Sequence, residues 1–344
     1  MTPRDGTARG RLADLAAYAG VSEATVSRVL NDRPGVAAAT RQSVITALDV
    51  LGYERPSKLQ RSSAGLVGLV VPELTNPVFP VFAQHIETQL AAAGFTPVLC
   101  TQTPGGVHED EYVRMLLDRG VSAIVFVSGL HADSRADVQR YVELRRRGLP
   151  ITLVNGWREG VGATFVSHDD EAAMHLAVRH LRDLGHTRIG FATGPARYVP
   201  VQRRVSGFLA AMADVDGVDA QELVATTLFS VEGGGAAARQ LIGRGATAVV
   251  CGSDVMALGV LRAARQGGMD VPRDLSVVGS DDVPFAGYVD PALTTVRMDV
   301  AAMAGAAVTA LLEEIAGEPV THREYLFAPE LILRGSTGAA PAAR

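Results

Sequence analysis

From Leu66 onward, short apolar runs alternate with amphipathic segments, and this alternation constrains the fold more than any other feature of the chain. The runs cover 67–71, 97–99, 123–127, 151–154, 188–192, 248–251 and 276–278, and the amphipathic segments lie near 78–93, 109–119, 134–147, 170–184, 200–213, 233–244 and 254–267. Strands that are apolar on both faces are typical of parallel sheets covered by helices. The units are too numerous for one compact sheet, and the break near 163–167 predicts two doubly wound subdomains. We expect a ligand crevice between them, at the carboxyl ends of the strands.

A pair of short helices is predicted between Arg11 and Asn31. Gly20 supplies the left-handed residue that ends the first helix, and Ser22 is a good N-cap for the second. The apolar stripe of the second helix leaves five residues on or beside its opposite face: Glu23, Ala24, Thr25, Ser27 and Arg28. This is the pattern of a helix-turn-helix, whose second helix can lie in a DNA major groove. The spacing alone fits an ordinary helical hairpin equally well.

The charge of the chain is unevenly distributed. Residues 1–65 contain nine Lys/Arg and six Asp/Glu, a net of +3, and the totals of 32 and 37 leave 23 and 31, a net of −8, for the rest. A third helix over 40–51 would complete a small basic headpiece, and the polar stretch 54–65 is predicted to be a linker. A basic head on an acidic body suits a protein that presents only its head to a polyanion.

Composition and missing motifs narrow the class of protein. The chain is 47 % hydrophobic and 20 % charged, no apolar run reaches the roughly 18 residues of a membrane span, and the first residues lack a signal-peptide pattern. We therefore expect a cytoplasmic protein without a membrane partner. Cys100 and Cys251 each end an apolar run and are predicted to be buried thiols.

An enzyme is the first rival hypothesis, and the sequence disfavours it. It contains no P-loop, no dinucleotide-binding glycine motif that opens a helix, and no HExxH or GxSxG motif. His168, Asp169 and Asp170 resemble an acid/base cluster, but adjacent residues on one segment do not face one another. We expect no catalytic residues, no metal site and no cofactor.

Seven segments in order carry a specific resemblance. They are DLAAYAGVSEATVSRVLN, TRQSVITALDVLGY, GLVVPELTNPVFP, HLRDLGHTRIGFATGP, GSDVMALG, LSVVGSDD and LTTVRMD. Together they resemble the LacI/GalR family of bacterial transcription regulators over roughly residues 11 to 335. The resemblance implies a headpiece, a hinge and a core similar to periplasmic sugar-binding proteins. It also implies a homodimer, acting as a repressor, that binds a near-palindromic double-stranded DNA operator under the control of a sugar-like effector.

The resulting domain prediction has four parts. The headpiece covers 1–53, the hinge 54–65, the effector-binding core 66–335, and a flexible tail 336–344. Within the core, one subdomain combines 66–163 with 297–322, and the other combines 166–294 with 323–335. No heptad helix follows the core, so we expect a dimer and no coiled-coil tetramer.

The resemblance also assigns DNA-binding roles along the second helix. Arg28 can contact guanine through two hydrogen bonds, Glu23 can accept from cytosine, and Ala24 can touch a thymine methyl. Glu23 is equally suited to stabilising the first turn of the helix electrostatically. The residues suited to phosphate contacts or to capping are Ser22, Thr25, Ser27 and Asn31.

The hinge departs from the family pattern. Many members carry an Ala-Leu wedge there that opens the minor groove, whereas this chain places Ser63 about where that leucine is expected. Leu59 is the only apolar candidate before Ala64. We include Leu59 among the candidate DNA contacts without committing to a wedge.

In the core, the resemblance places the effector contacts at seven loop positions: Asn76, Phe79, Asp169, Arg204, Phe229, Ser253 and Asp281. Carboxylates, an arginine and an aromatic face suit the hydroxyls and the apolar face of a polyhydroxylated ligand. Other roles remain open, because Asp169 and Asp281 can cap loops, Phe229 can be core and Arg204 can pair with a carboxylate. Trp157 is equally suited to be a ligand platform or a loop anchor.

Two further hypotheses share this fold. A solute-binding protein would need a secretion signal and would lack the headpiece, so both features argue against it. A regulator that responds to a phosphoprotein co-effector stays open. Whether the effector induces or corepresses is not encoded in any motif.

Overall fold

The computed structural model describes residues 6–31, 33–53, 64–102 and 106–341. The chain divides into two compact units, Met1–Ala64 and Gly65–Arg344. Within the described ranges, no helix combines the length and the apolarity that a membrane span requires.

The first unit is helical. It contains α1 (Gly6–Ala19), α2 (Glu23–Leu30) and α3 (Ala38–Val50), and Gly20, with φ of +66°, ends α1. Buried side chains from all three helices form its core: Leu15, Ala16, Val26, Val29, Val44, Ala47 and Leu48. The predicted helix-turn-helix and its third helix are confirmed.

The second unit contains two six-stranded sheets, each the centre of one lobe. The first lobe is built on β1 (Leu66–Val71), β2 (Thr96–Thr101), β3 (Ala123–Val127), β4 (Ile151–Val154), β5 (Thr164–His168) and β11 (Glu324–Phe327). Their order is β11-β5-β4-β3-β1-β2, and every pairing is parallel. The helices of this lobe are α4 (Val78–Ala92), α5 (Glu109–Asp118), α6 (Gln139–Arg146) and α11 (Val300–Ile315).

The second lobe is built on β6 (Ile189–Thr193), β7 (Val224–Thr226), β8 (Ala248–Cys251), β9 (Ser276–Asp281), β10 (Thr294–Arg297) and β12 (Glu330–Ile332). Their order is β12-β10-β9-β8-β6-β7, and only β12 runs antiparallel to its neighbour within this sheet. Its helices are α7 (Asp170–Asp183), α8 (Val199–Met212), α9 (Val231–Gly243) and α10 (Asp254–Gln266). The predicted fold class, a helical headpiece followed by two doubly wound subdomains, is confirmed.

Both faces of each sheet are apolar. In β3, Val125 packs with α4 and α11, whereas Ile124 and Phe126 pack with α5 and α6. In β8 the same alternation places Val249 against α9 and α10 on one face of the sheet, and Val250 against α7 and α8 on the other. Burial on two faces is why the strands read as uninterrupted apolar runs.

Two predicted boundaries inside the core are wrong. The predicted boundaries place residues 166–168 and 324–327 in the second subdomain, but β5 pairs with β4 and β11 pairs with β5, which places both strands in the first sheet. The main-chain ladder therefore sets the lobe boundary after β5. The chain passes between the lobes after β5, after β10 and after β11.

The segment after residue 335, predicted to be a flexible tail, is packed as far as residue 341. Ser336 is fully buried, and its Oγ accepts a hydrogen bond from Thr294 N at 2.8 Å. His186 Nε2 lies 3.1 Å from the Gly338 carbonyl oxygen. These contacts fix the segment to the second lobe. The predicted buried thiols of Cys100 and Cys251 are confirmed.

Candidate functional site

The exposed side of α2 carries the three residues predicted to read bases. Ser22 Oγ caps the helix by accepting a hydrogen bond from Thr25 N at 3.2 Å. Glu23, Ala24 and Arg28 are exposed together, because the opposite side of α2 is buried in the helical core. An exposed N-terminal half with an arginine one turn further on has the shape and chemistry that a major groove accepts.

The remaining candidates on this helix have local roles. Asn31 Nδ2 donates to the Ser27 carbonyl oxygen at 2.9 Å and closes the last turn. The hydroxyls of Ser22 and Thr25 lie 2.9 Å apart. Capping is therefore observed for Ser22 and Asn31, and phosphate contact stays a prediction. Leu59 lies outside the described residues.

A cleft with a cavity volume of about 180 Å³ opens between the two lobes at the carboxyl ends of their parallel strands. Six of the seven predicted effector residues line the cleft: Asn76, Phe79, Arg204, Phe229, Ser253 and Asp281. Asp169 does not. Sequence reasoning missed the other residues of the wall, among them Glu73, Ser128, Asn155, Asp170, Tyr198 and Met298.

The first lobe contributes the loop between β1 and α4. Asn76 is buried, and its Oδ1 accepts a hydrogen bond from Val78 N at 3.4 Å at the start of the helix. Phe79, in the first turn of α4, packs on the core of the lobe. Glu73 lies in the same loop, and its carboxylate accepts a hydrogen bond from the Thr75 hydroxyl.

Ser128 and Asn155 follow β3 and β4 directly. Asn155 Nδ2 donates to Ser128 Oγ at 3.0 Å, and both residues have positive φ, 63° and 46° respectively. Non-glycine residues in this region store backbone strain and concentrate at functional sites. Both positions come immediately after a predicted strand, so the rule that parallel strands bind ligands at their carboxyl ends could have identified them.

The acidic residue at the start of α7 that reaches the cleft is Asp170, one position after the predicted one. Asp169 is the N-cap, and its Oδ1 accepts a hydrogen bond from Ala172 N at 3.0 Å. Asp170 Oδ1 accepts from Arg204 Nε at 2.7 Å, and both side chains are buried. Burial alone would raise the pKa of Asp170, but Arg204 and His168 together outweigh it and lower the pKa below its ordinary value. Asp169 is therefore corrected from a ligand contact to a helix cap.

Arg204 is held on two sides. Besides the bond to Asp170, its Nη1 donates to the Gly252 carbonyl oxygen at 2.6 Å. The alternative role, pairing with a carboxylate on a helix, is thus observed while the residue also lines the cleft.

Asp281 ends β9 on the floor of the cleft, with φ of 108°. Burial, together with the charge of nearby Asp254, raises the pKa of Asp281 well above its ordinary value. Asp254 lies deeper and accepts hydrogen bonds from Thr295 Oγ1 at 2.6 Å and from Val283 N at 2.9 Å. Burial raises the pKa of Asp254 to about 7.

Phe229 and Ser253 complete the second-lobe wall. The Phe229 ring lies directly on the backbone of Gly194 and Gly252, where a Cβ atom would meet the ring at 2.1 Å and 3.3 Å. The two glycines therefore allow the ring to reach the cleft. Ser253 Oγ caps α10 by accepting from Met256 N at 3.2 Å.

The two lobes also touch through an interlobe bridge, formed by 133–134 of the first lobe and 197–202 of the second. Ser134 N donates to the Arg197 carbonyl oxygen at 2.7 Å, and Arg197 Nε lies 2.9 Å from Asp133 Oδ2. Gln202 Nε2 donates to Ser134 Oγ at 3.0 Å. Tyr198, next to Arg197, and Ala132, next to Asp133, both line the cleft. The bridge therefore closes part of the cleft wall.

Trp157 is a loop anchor. Its ring packs edge-on against Phe165 at 4.9 Å, on the face of the first sheet that carries α5 and α6. It does not belong to the wall of the cleft. His168 is buried 3.7 Å from Asp170, and it does not line the cleft either.

Comparisons with known proteins agree with this arrangement. The family model described as bacterial regulatory proteins, lacI family, matches residues 11–56, and the model described as a periplasmic binding protein-like domain matches residues 178–337. The HTH-type transcriptional regulator reg1 of Streptomyces lividans is 62 % identical over 339 residues, which are 97 % of this chain and 98 % of that protein. The HTH-type transcriptional regulator MalR of Streptomyces coelicolor is 61 % identical over 338 residues, again 97 % and 98 %.

Solved structures extend the likeness to the fold. A complex of the transcriptional regulator CelR with cellobiose has a TM-score of 0.70 and 29 % identity, covering 94 % of this chain and 99 % of that one. A lac repressor dimer bound to operator and the anti-inducer ONPF has a TM-score of 0.69 and 26 % identity, covering 95 % and 99 %.

Proposed function

Because the chain belongs to the LacI family of bacterial regulatory proteins, we propose that it is a sequence-specific DNA-binding repressor controlled by a small sugar-like effector. The effector binds in the interlobe cleft and changes the affinity of the headpiece for its operator. The observation that carries this proposal is the cleft, which gathers carboxyl groups, an arginine and aromatic rings from both lobes around one space.

The chemistry of the wall suits a polyhydroxylated ligand. Asp281, Glu73 and Asn155 offer acceptors for hydroxyl groups, and Phe79 and Phe229 offer apolar cover for C–H faces. The similar regulator CelR was solved with cellobiose, which supports a sugar as the class of ligand.

On the headpiece, Arg28, Glu23 and Ala24 are proposed to read base edges in the major groove. Their common exposure on α2 supports this role. Positioning contacts to the phosphates are assigned to Ser22, Thr25, Ser27 and Asn31. The proposed domain division keeps the headpiece, hinge and core, with β5 and β11 moved to the first lobe.

We also propose a homodimer on a near-palindromic operator, in the cytoplasm. Leu74 and Leu99 are 47 % and 49 % exposed in the first lobe, and they line an apolar groove beside the edge strand β2 together with Pro80 and Pro97. A self-complementary apolar patch is what a two-fold interface requires. The similar lac repressor structure is described as a dimer bound to operator.

Mutations can separate operator binding by the headpiece from ligand binding by the cleft. Arg28→Ala should abolish selective binding to an operator obtained by selection from random DNA, and it should leave ligand-induced thermal stabilisation unchanged. Asp281→Ala should do the reverse. Arg273→Ala is the matched control, because it removes one exposed positive charge from the second lobe, outside the wall of the cleft. Loss of both operator binding and ligand binding in either folded variant would contradict the proposed function.

A further inference from the structure

The effector cleft has an unbalanced set of charges. Three carboxyl groups line it, from Glu73, Asp170 and Asp281, and Arg204 is the only cationic side chain among the described residues of its wall. Because Asp170 is paired with Arg204, the carboxyl groups that remain for a ligand are those of Glu73 and Asp281.

Arg204, the one cationic side chain among the described residues of the wall, already donates hydrogen bonds to two groups of the protein itself. Arg204 donates to Asp170 at 2.7 Å and to the Gly252 carbonyl oxygen at 2.6 Å, and its side chain is only 8 % exposed. A buried guanidinium gains its stability from the carboxylate it pairs with. An anionic ligand would have to compete with Asp170 for this charge.

Three of the helix N-termini at the cleft offer little compensation, and the fourth, that of α8, has no side-chain cap but contains Pro200, which lacks an N–H, in its first turn. A helix N-terminus binds anions through first-turn N–H groups, but side chains of this protein already accept from such groups in α4, α7 and α10, at Asn76, Asp169 and Ser253. In addition, α7 and α10 each begin with an acidic residue, Asp170 and Asp254. These carboxyl groups offset the positive ends of the helix dipoles.

Two of the carboxyl groups still have unused acceptor positions. No described residue donates a hydrogen bond to the carboxyl group of Asp281, although Asp281 is only 8 % exposed. Glu73 accepts one hydrogen bond, from the Thr75 hydroxyl. Asp281 is buried, whereas Glu73 is half-buried. An acceptor that loses water requires a donor, and the hydroxyl groups of a ligand can supply one to each carboxyl group. Burial and Asp254 already raise the pKa of Asp281 well above its ordinary value, so the floor of the cleft is a poor place for more negative charge.

We infer that the cleft is a charge filter: it takes a neutral, hydroxyl-rich ligand that donates hydrogen bonds to Glu73 and Asp281, and it rejects the phosphorylated form of the same ligand. This inference rests on the proposed function and narrows its ligand class. A sugar phosphate would bring a further negative charge near Glu73 and near Asp281, a buried carboxyl group whose ionisation burial and Asp254 already oppose.

The test uses matched pairs of ligands on the full-length protein. Glucose and glucose 6-phosphate, ribose and ribose 5-phosphate, and cellobiose and cellobiose 6′-phosphate are titrated by calorimetry. We expect at least one neutral member to bind and its phosphorylated partner to bind about 100-fold more weakly, since like charges placed together in an interface cost several kcal/mol and each tenfold in affinity is about 1.4 kcal/mol.

A variant pair assigns the effect to the cleft. Glu73→Gln keeps the size and one acceptor of the side chain but removes its charge, and it should reduce the preference for the neutral member about tenfold. Glu318→Gln is the matched control, because Glu318 is exposed and lies outside the wall. It should leave the preference unchanged.

The outcomes separate the two levels of the proposal. If a phosphorylated member binds as tightly as its neutral partner, the charge filter is wrong while the sugar-controlled regulator stands. If neither member of any pair binds, the sugar effector itself is wrong, and the filter falls with it. If Glu73→Gln behaves like Glu318→Gln, the assignment of the filter to Glu73 is overturned.

Discussion

Asp169 and Asp170 show how much one position along the chain matters at this site. The family motif predicts the correct loop. Within it, however, Asp169 caps its own helix, and Asp170 is the residue that pairs with Arg204. Sequence spacing locates a loop to within a residue or two. It does not resolve which of two neighbouring carboxylates faces a cleft, because that depends on where the first helical turn begins.

Asp170→Asn is expected to destabilise the protein strongly. The substitution leaves the buried charge of Arg204 without its partner, and removing one member of a buried pair costs about 3–5 kcal/mol. Chemical denaturation of the wild type and the variant at neutral pH gives the change in the free energy of unfolding.

Asp169→Asn is the control for that measurement. Asparagine is as good an N-cap as aspartate, so the free energy of unfolding should fall by no more than about 0.3 kcal/mol. Equal losses for the two variants would show that the pair with Arg204 is not what stabilises the start of α7.

At the scale of elements, the long apolar strands and the helices between them are predictable, and the short polar strands are not. β10 has the sequence TTVR, and Thr294 and Thr295 are both fully buried. Buried threonines interrupt an apolar run, so the strand leaves no signal in hydrophobicity. β5, with the sequence TFVSH, also contains a buried threonine and is missed for the same reason. β11, with the sequence EYLF, is instead a short, partly exposed edge strand.

The interlobe bridge also has no sequence signature, since its two halves are about sixty residues apart. It joins Ser134 to Arg197 through the main chain at 2.7 Å and joins Asp133 to Arg197 through an ion pair at 2.9 Å. We expect the bridge to open when ligand enters or leaves. The Ser134 amide is therefore a local reporter of cleft closure.

Arg197→Ala should accelerate hydrogen exchange at the Ser134 amide. A partly exposed ion pair contributes about 0.2–1 kcal/mol, which corresponds to an increase of up to about fivefold. Mass spectrometry or NMR of the free protein measures this rate. Arg135→Ala is the control, because Arg135 is exposed in the same loop and lies outside the bridge. Identical exchange in the two variants would contradict the role given to Arg197.

At the scale of the whole molecule, the order of its parts is the most predictable feature. The ordered motifs place a helical headpiece before a two-lobed core, and both are observed. The composition of GSTGAAPAAR predicts a flexible tail, and this prediction is wrong for the described residues as far as 341. Ser336 and Gly338 are nevertheless held by hydrogen bonds to the second lobe. A few main-chain and hydroxyl contacts decide that outcome, and composition does not record them.

The proposed function requires that the cleft and the headpiece be coupled. Coupling is reciprocal, so a ligand that changes operator affinity by some factor must have its own affinity changed by operator by the same factor. Such factors are typically about 5–150-fold, equivalent to about 1–3 kcal/mol. Asp281→Ala should remove the response to ligand while leaving operator binding intact.

The most direct test of this account is the affinity of the full-length protein for its selected operator, measured at one salt concentration with and without a saturating neutral sugar that binds the cleft. We predict a change of at least about fivefold, which is matched by the effect of operator on sugar affinity and lost in Asp281→Ala. Equal operator affinity with and without bound sugar would contradict the central claim that the cleft controls the DNA-binding helix.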